Sequence, residues 1–235
     1  MDLIASIGNW WHRERQYASA RKLFALGWEF LRESLPDRRR QRYGDVEYDW
    51  EYRVDTTSAT VGWGTRLRGL LHSPYQPVDP ELFRRIMNSL EIDFSKFTFV
   101  DIGSGKGRAL LLASEHPFDR VMGIELLPEL DQIARENIRK FSASRRCSDI
   151  EAVLADATEF NFPHRPLVVF LFHPLPEGDF CRLMTNLVGS SHKFPRPIYL
   201  IYAHHVFENL VAAWGIFEKV DGNEQYSLFR TLPAA

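Results

Sequence analysis

Apolar residues in the second half of the chain occur in short runs that alternate with amphipathic segments of helical period. The runs are rich in Val, Ile, Leu and Phe, which is typical of strands buried on both faces of a sheet. The alternation predicts an α/β domain with a mostly parallel sheet and helices on both faces. The strands are predicted at 97–102, 120–125, 150–154, 167–172, 197–203, 216–221 and 225–231. The helices between them are predicted at about 106–115, 128–141, 178–190 and 205–214.

The last two predicted strands are joined through Asp221-Gly222-Asn223, a sequence typical of a hairpin turn. The sheet is therefore expected to end in an antiparallel hairpin rather than another crossover. One more helix is expected before the first strand, because Asp79 can cap a helix whose first position is Pro80. It should run to about Leu90.

The first third of the chain has a different pattern. Residues 3–35 carry apolar positions at helical spacing, which predicts one or two helices that end before Pro36. The basic run 37–42 is typical of a solvated linker. Residues 43–65 are aromatic and β-branched without a clean period, so the sequence assigns them no element.

Composition limits the classes of partner. With 29 basic and 31 acidic residues the net charge is −2, so no overall positive potential attracts nucleic acid or an anionic membrane. Cys147 and Cys181 are too few for a disulfide framework, which suits a reducing cytoplasm. The chain has no basic leader and no run of about 18 apolar residues, so a cytoplasmic protein without a membrane span is expected.

The most informative motif follows the predicted strand 97–102, where Asp101 precedes alternating glycines. Such a loop between a strand and a helix places a nucleotide-like ligand at the end of the strand. A dinucleotide-binding loop needs its third glycine where this chain has Arg108. A phosphate-binding Walker loop needs Ser or Thr after its lysine, but Gly107 follows Lys106. The spacing therefore disfavours both of these sites.

Asp101, Gly103, Gly105 and Gly107 resemble the first motif of the class I S-adenosylmethionine (SAM) dependent methyltransferases, an acidic residue followed by Gly-x-Gly-x-Gly. The resemblance implies a seven-stranded Rossmann-like sheet, with SAM as cofactor. It also implies that Asp101 and the loop, including Ser104, hold the amino and carboxyl ends of the methionine tail of SAM. Because SAM carries no phosphate, the glycines serve the close approach of the backbone to that tail.

Two further positions follow from the same resemblance. Glu125 ends the second strand and would accept hydrogen bonds from the ribose hydroxyls; the alternative is an acid that stabilises the following helix N-terminus. Asp156 and Ala157 follow the third strand and would face adenine; the alternative is an acidic residue that caps a short turn. We expect a helical accessory segment, 1–70, and a SAM-binding methyltransferase domain, 71–235, within which the resemblance spans about residues 75–231.

The residues that would contact the methyl acceptor are less clearly indicated by the sequence. His173, after the fourth strand, could act as a general base, or its ring could simply support the loop. Tyr75-Gln76-Pro77 is similar to a segment of small seven-strand lysine methyltransferases that folds over SAM; the alternative is a proline-stiffened connector. His204, His205 and Cys181 lack metal-ligand spacing, so no metal is predicted.

The predicted function is SAM-dependent methyl transfer, with a protein lysine or a small molecule favoured as acceptor and nucleic acid not supported. Two alternatives remain open. One is a non-catalytic SAM-binding sensor or partner subunit, since His173-Pro174-Leu175-Pro176 departs from the Asn/Asp-Pro-Pro-aromatic segment of amine and amide methyltransferases. The other is a nicotinamide-dependent oxidoreductase.

Overall fold

The computed structural model describes residues 46–57, 76–172 and 175–232, in which seven strands form one sheet. The strands are β1 (Thr98–Ile102), β2 (Arg120–Glu125), β3 (Ile150–Leu154), β4 (Leu167–Phe172), β5 (Ile198–Ala203), β6 (Phe217–Gly222) and β7 (Tyr226–Thr231). The α-helices of these residues are α1 (Val46–Tyr52), α2 (Pro80–Ser89), α3 (Arg108–Ala113), α4 (Pro128–Lys140), α5 (Glu177–Lys193) and α6 (Glu208–Ala213).

The strand order is β3-β2-β1-β4-β5-β7-β6. Strands β1 to β5 pair in parallel, whereas β7 lies antiparallel to both β5 and β6. This order and the terminal antiparallel hairpin are those of the Rossmann-like methyltransferase fold, so the predicted fold class is confirmed. The order reverses between β1 and β4, and α/β sheets bind ligands outside the carboxyl ends of the strands at such a point.

The strand bounds agree with the prediction to within one residue, whereas helix ends differ by up to three. The predicted helix 106–115 is shorter by two residues at each end, and it begins at Arg108 because Lys106 and Gly107 belong to the preceding loop. The prediction for α2 is confirmed in detail. The Asp79 side chain accepts a hydrogen bond from the amide of Leu82 at 2.7 Å, and Pro80 opens the helix.

Two apolar cores lie on the two faces of the sheet, because successive strand residues point to opposite sides. Phe99 and Phe170 pack with α2 and α3 on one face, and Val100 and Val169 pack with α5 and α6 on the other. Helices therefore cover both faces, as the apolar pattern predicts. No helix within the described ranges has the length and apolar character needed to span a membrane.

Helix α1 lies in the region for which the sequence assigned no element. Its Tyr48 is buried and packs in the same core as α2 and α3. Residues 46–57, which fall within the predicted accessory segment, therefore pack directly on the sheet domain. The helices predicted over 3–35 and the basic run 37–42 lie outside the described residues.

Candidate ligand-binding site

The loop between β1 and α3 is held against the end of β2 by backbone hydrogen bonds. The amides of Gly103 and Ser104 both donate to the carbonyl of Ile124, at N···O distances of 2.8 and 3.0 Å. All three loop glycines have positive φ angles, +71°, +54° and +86° along the chain. Because residues with a Cβ rarely adopt these angles, the alternating glycines are required by the loop's backbone.

The third glycine also permits a close approach of two helices. Gly107 caps the N-terminus of α3, and a Cβ built on it would lie 3.2 Å from the Cβ of Ala134 in α4. Glycine at this position therefore provides both the left-handed turn and the space for α4. This is the residue that distinguishes the loop from a dinucleotide-binding pattern.

Asp101 lies near the end of the inner strand β1, flanked by Gly123 of β2 and Phe170 of β4. Its side chain is buried, and none of the described residues donates a hydrogen bond to its carboxylate. Burial, and secondarily the charge of Glu125, raise the pKa of the Asp101 carboxyl to about 8. A buried carboxylate without a donor is costly for the fold, and a cationic ligand would relieve that cost.

Glu125 ends β2 and braces the glycine loop. One carboxylate oxygen accepts from the amide of Gly105 at 2.8 Å, and the other accepts from the amide of Leu127 at 2.8 Å. Burial raises the pKa of Glu125, and these two hydrogen bonds oppose the rise. Each carboxylate oxygen can accept more than one hydrogen bond. The predicted contact with ribose is therefore compatible with this bracing role.

Asp156 and Ala157 follow β3, beside the end of β2. The Asp156 carboxylate is exposed and accepts from both the amide and the hydroxyl of Thr158, at 2.8 and 2.7 Å. The carbonyl of Ala157 accepts from the Asn186 side chain at 3.3 Å. These contacts show that Asp156 caps a short turn in this structure. The adenine contact stays a prediction.

A small cleft of about 30 Å³, open to solvent, lies between the glycine loop and residues 76–78. Asp101 and Arg108 line it on the polar side, and Phe170 and Phe172 line it on the apolar side. The structure thus brings Asp101, the loop and the end of β4 to one cavity. Tyr75 and His173, which the sequence predicts for the same region, lie outside the described residues.

Two basic residues, Lys106 in the glycine loop and Arg108 at the start of α3, are buried, which the apolar pattern of the sequence does not predict. Lys106 and Arg108 are 0% and 2% exposed, although both are long cations. Their position where the glycine loop meets a buried helix is the sequence signal for this burial. Buried cations need anionic or hydrogen-bonding partners, so such a signal predicts acidic residues elsewhere that cover the loop.

The histidines at the end of β5 have local contacts. In His205, Nε2 lies 2.9 Å from the Asn223 carbonyl oxygen and Nδ1 lies 3.4 Å from a Glu208 carboxylate oxygen. His204 has a φ of +52°, and its ring stands edge-on to Phe172 at 5.0 Å between centroids. Within the described ranges, no group of three or more His, Cys, Asp or Glu is placed to hold a metal ion.

The loop also depends on a glycine in the neighbouring strand. A Cβ at Gly123 of β2 would lie 2.6 Å from both Ser104 Oγ and Leu110 Cδ1, which is closer than real contacts allow. We therefore expect Gly123→Ala to displace Ser104, lower the free energy of unfolding by about 1–3 kcal/mol and weaken ligand binding. Chemical denaturation and calorimetry measure the two effects.

The matched control for this substitution is Gly189→Ala in α5. A Cβ there meets no atom within 4 Å, so the same added methyl should leave stability equal or slightly higher. Equal stability of the two variants would contradict the packing argument at Gly123.

No protein-family model matches the chain, and a comparison with curated proteins finds no match. Among solved structures, the chain is similar to an RNA methyltransferase from Salinibacter ruber in complex with S-adenosyl-L-homocysteine. That similarity has 21% identity, covers 66% of this chain and 92% of that one, and has a TM-score of 0.42.

Two other similar structures are methyltransferases with different acceptors. A precorrin-6y C5,15-methyltransferase from Geobacter metallireducens is 17% identical over 66% of this chain and 88% of its own, with a TM-score of 0.46. The glycopeptide N-methyltransferase MtfA, complexed with sinefungin, is 12% identical over 66% and 87%, with a TM-score of 0.49. All three TM-scores are below 0.5, so the chemistry of the site is inferred from this chain's own residues.

Proposed function

We propose that this protein is a SAM-dependent methyltransferase. The observation that carries the proposal is the buried Asp101 carboxylate, without a described hydrogen-bond donor, beside the three-glycine loop. It lies at the carboxyl edge of the sheet, where the strand order reverses and where α/β proteins bind their ligands. A ligand with an ammonium group and no phosphate suits this site.

The residues around Asp101 fit the other parts of SAM. Glu125 lies at the end of β2, where its carboxylate would accept hydrogen bonds from the ribose hydroxyls. Leu126 and Leu154, 52% and 49% exposed, are large apolar residues at the ends of β2 and β3. They offer apolar surface for the adenine ring, next to Asp156. An exposed leucine directly after a strand-ending acid is the sequence signal for this surface.

SAM, when bound, supplies a methyl group already activated by its sulfonium. The protein then contributes mainly by holding the acceptor in line and by excluding water. Phe170 and Phe172 form the apolar wall of the cleft on which this exclusion depends. We propose that His173, directly after Phe172 in sequence, takes the acceptor's proton where the acceptor must lose one.

We further propose that the acceptor is a small molecule or a protein side chain. The net charge of −2 supports this choice, because binding to nucleic acid depends on neutralising phosphates. Incubating the protein with tritiated SAM and a cell lysate, followed by separation of protein, nucleic acid and small molecules, tests it. Label in the nucleic-acid fraction would overturn the acceptor class and leave the methyltransferase activity intact.

The activity itself is tested by ligand binding and by turnover. In a thermal-shift assay, SAM and S-adenosylhomocysteine should raise the melting temperature, whereas NAD should leave it unchanged. Formation of S-adenosylhomocysteine from SAM with any acceptor establishes the enzyme. Stabilisation by NAD alone would favour the oxidoreductase alternative, and SAM binding without turnover would favour the sensor.

The pKa of Asp101 predicts how SAM affinity depends on pH. Below pH 8 the carboxyl holds a proton in the ligand-free protein, and this proton must leave when an ammonium group binds. The affinity should therefore rise between pH 6 and 7, by up to about tenfold, below the α-amino pKa of about 7.7–8.0. Calorimetry in buffers of different ionisation enthalpy should detect release of nearly one proton; an affinity independent of pH would contradict the pairing.

A further inference from the structure

Residues 49–57, which we call the strap, are fixed onto the glycine loop by side chains of the sheet domain. Asn137 of α4 accepts from the Asp55 amide at 2.8 Å and donates to the carbonyls of Asp55 and Lys106, at 2.8 and 2.9 Å. The Lys106 ammonium group donates to the Asp55 carboxylate at 2.8 Å. The strap and the loop are therefore joined by a network that uses both backbone and charge.

Arg108 is the second link between the strap and the site. Its Nε donates to the Thr56 hydroxyl at 2.7 Å, and its Nη2 lies 3.4 Å from the Asp49 carboxylate. Its guanidinium carbon stands 4.9 Å from the ring centre of Tyr48. Asp49 itself accepts from the amides of Thr56 and Thr57, at 2.7 and 2.9 Å. The strap thus fixes the orientation of a buried guanidinium.

Arg108 also lines the cleft, together with Asp101. A small cavity lined by a buried aspartate and a buried arginine is complementary to a ligand that carries an ammonium and a carboxylate on adjacent atoms. An amino-acid tail has this arrangement, and arginine presents a planar set of donors suited to a carboxylate. Desolvation at the site strengthens both contacts.

We propose that Arg108 binds the carboxylate of the ligand's amino-acid tail and that the strap, residues 49–57, sets the affinity of the site by holding Arg108 in the cleft wall. This inference rests on the proposed function, because SAM is the ligand that brings the tail. It makes the strap part of the cofactor site, although the strap lies more than 40 residues before the glycine loop.

The test compares SAM with its decarboxylated analogue, which keeps the ammonium group and lacks the carboxylate. The wild-type protein should bind SAM about 10–100-fold more tightly than this analogue, the range expected for a charged hydrogen bond. Arg108→Met should lose this preference: SAM binding falls by about that factor, and binding of the analogue changes by less than about threefold. Calorimetry gives all four dissociation constants.

The strap is tested with Thr56→Val, which removes the hydroxyl that accepts from Arg108 Nε and donates to the Asp49 carboxylate, and keeps every charge. We expect it to lower the preference for SAM by about threefold to tenfold. If Thr56 had a purely structural role, the substitution would weaken the binding of SAM and of its decarboxylated analogue equally and leave the preference unchanged. Arg84→Met is the matched control, because Arg84 is paired with Glu115 at 3.0 Å and is not part of the cleft wall; it should leave the preference at the wild-type value.

The outcomes separate this inference from the proposed function. A wild-type protein that binds SAM and its decarboxylated analogue equally overturns the role of Arg108, whether or not Arg108→Met folds. Equal loss of both ligands in a folded Arg108→Met variant also overturns it. A wild-type protein that binds neither ligand contradicts the proposed function instead.

Discussion

Replacing Asp101 with asparagine is expected to stabilise the ligand-free protein at pH 8 and to abolish binding of SAM. The two effects have one cause. The Asp101 carboxylate is buried without a described donor, so its charge destabilises the ligand-free fold and becomes favourable only beside a cation. Asparagine removes the charge with little change of shape. Urea denaturation and calorimetry measure the two effects on the same preparation.

The pH dependence of the folding stability shows why Asp101→Asn should be stabilising. The pKa of Asp101 is about 8 in the folded protein and 3.8 for the reference side chain, so between these values only the folded protein retains the proton. The Asp101 contribution to stability therefore falls as pH rises from about 4 to 8 and levels off above. Even half of this shift corresponds to about 3 kcal/mol at pH 8. Asp101→Asn should lack this decline.

An exposed carboxylate outside the cleft provides the control. Glu91→Gln should leave the pH profile of stability and the binding of SAM at their wild-type values. If Asp101→Asn were less stable than the wild type at pH 8, or if it retained SAM affinity, then the carboxylate would have a structural role in place of the ligand contact.

The strands and the glycine loop were predictable because their signals are local. A buried strand is a short apolar run, and the loop needs glycine wherever φ is positive, as at Gly103 and Gly107. The end of β2 at Glu125 followed from the same local pattern. These features fixed the edge of the sheet at which the ligand is proposed to bind.

The hydrogen-bond partners of Glu125 and Asp156 within the protein were not predictable, because they depend on how the loops fold in space. Glu125 accepts from the amide of Gly105, 20 positions earlier in the chain, and only the folded loop brings the two together. Asp156 bonds to Thr158 by an ordinary turn contact that many sequences allow. A role in ligand binding and a role in bracing a loop therefore have the same sequence signal.

The strap is the part of the site that the sequence could not predict. Residues 46–57 have no clean period, and the contacts that fix them join positions 51 and 82 residues apart. Propensity and periodicity report on neighbours along the chain, whereas the burial of Lys106 and Arg108 depends on these distant partners. Two cations at the junction of a glycine loop and a buried helix indicate that partners are needed without indicating which residues supply them.

Asp55→Ala is expected to destabilise the protein by about 3 kcal/mol, whereas Lys106→Met should cost much less. The Lys106 side chain is fully buried, but 45% of the Asp55 side chain is exposed. Removing Asp55 takes the carboxylate from a buried ammonium group. Removing the ammonium group leaves a carboxylate that water can solvate, and the methionine fills the buried volume. The asymmetry of burial therefore predicts an asymmetry of cost.

Thermal and urea denaturation of the two single variants and the double variant measure this asymmetry. The double variant Asp55→Ala/Lys106→Met should be more stable than Asp55→Ala alone. Asp55→Ala takes the Asp55 carboxylate away from the buried Lys106 ammonium group, and Lys106→Met then removes that buried charge. Lys140→Met, at an exposed pair with Glu136, is the matched control and should change stability by less than about 0.5 kcal/mol. Equal costs for Asp55→Ala and Lys106→Met would mean that the strap is held by the Asn137 contacts rather than by this charge pair.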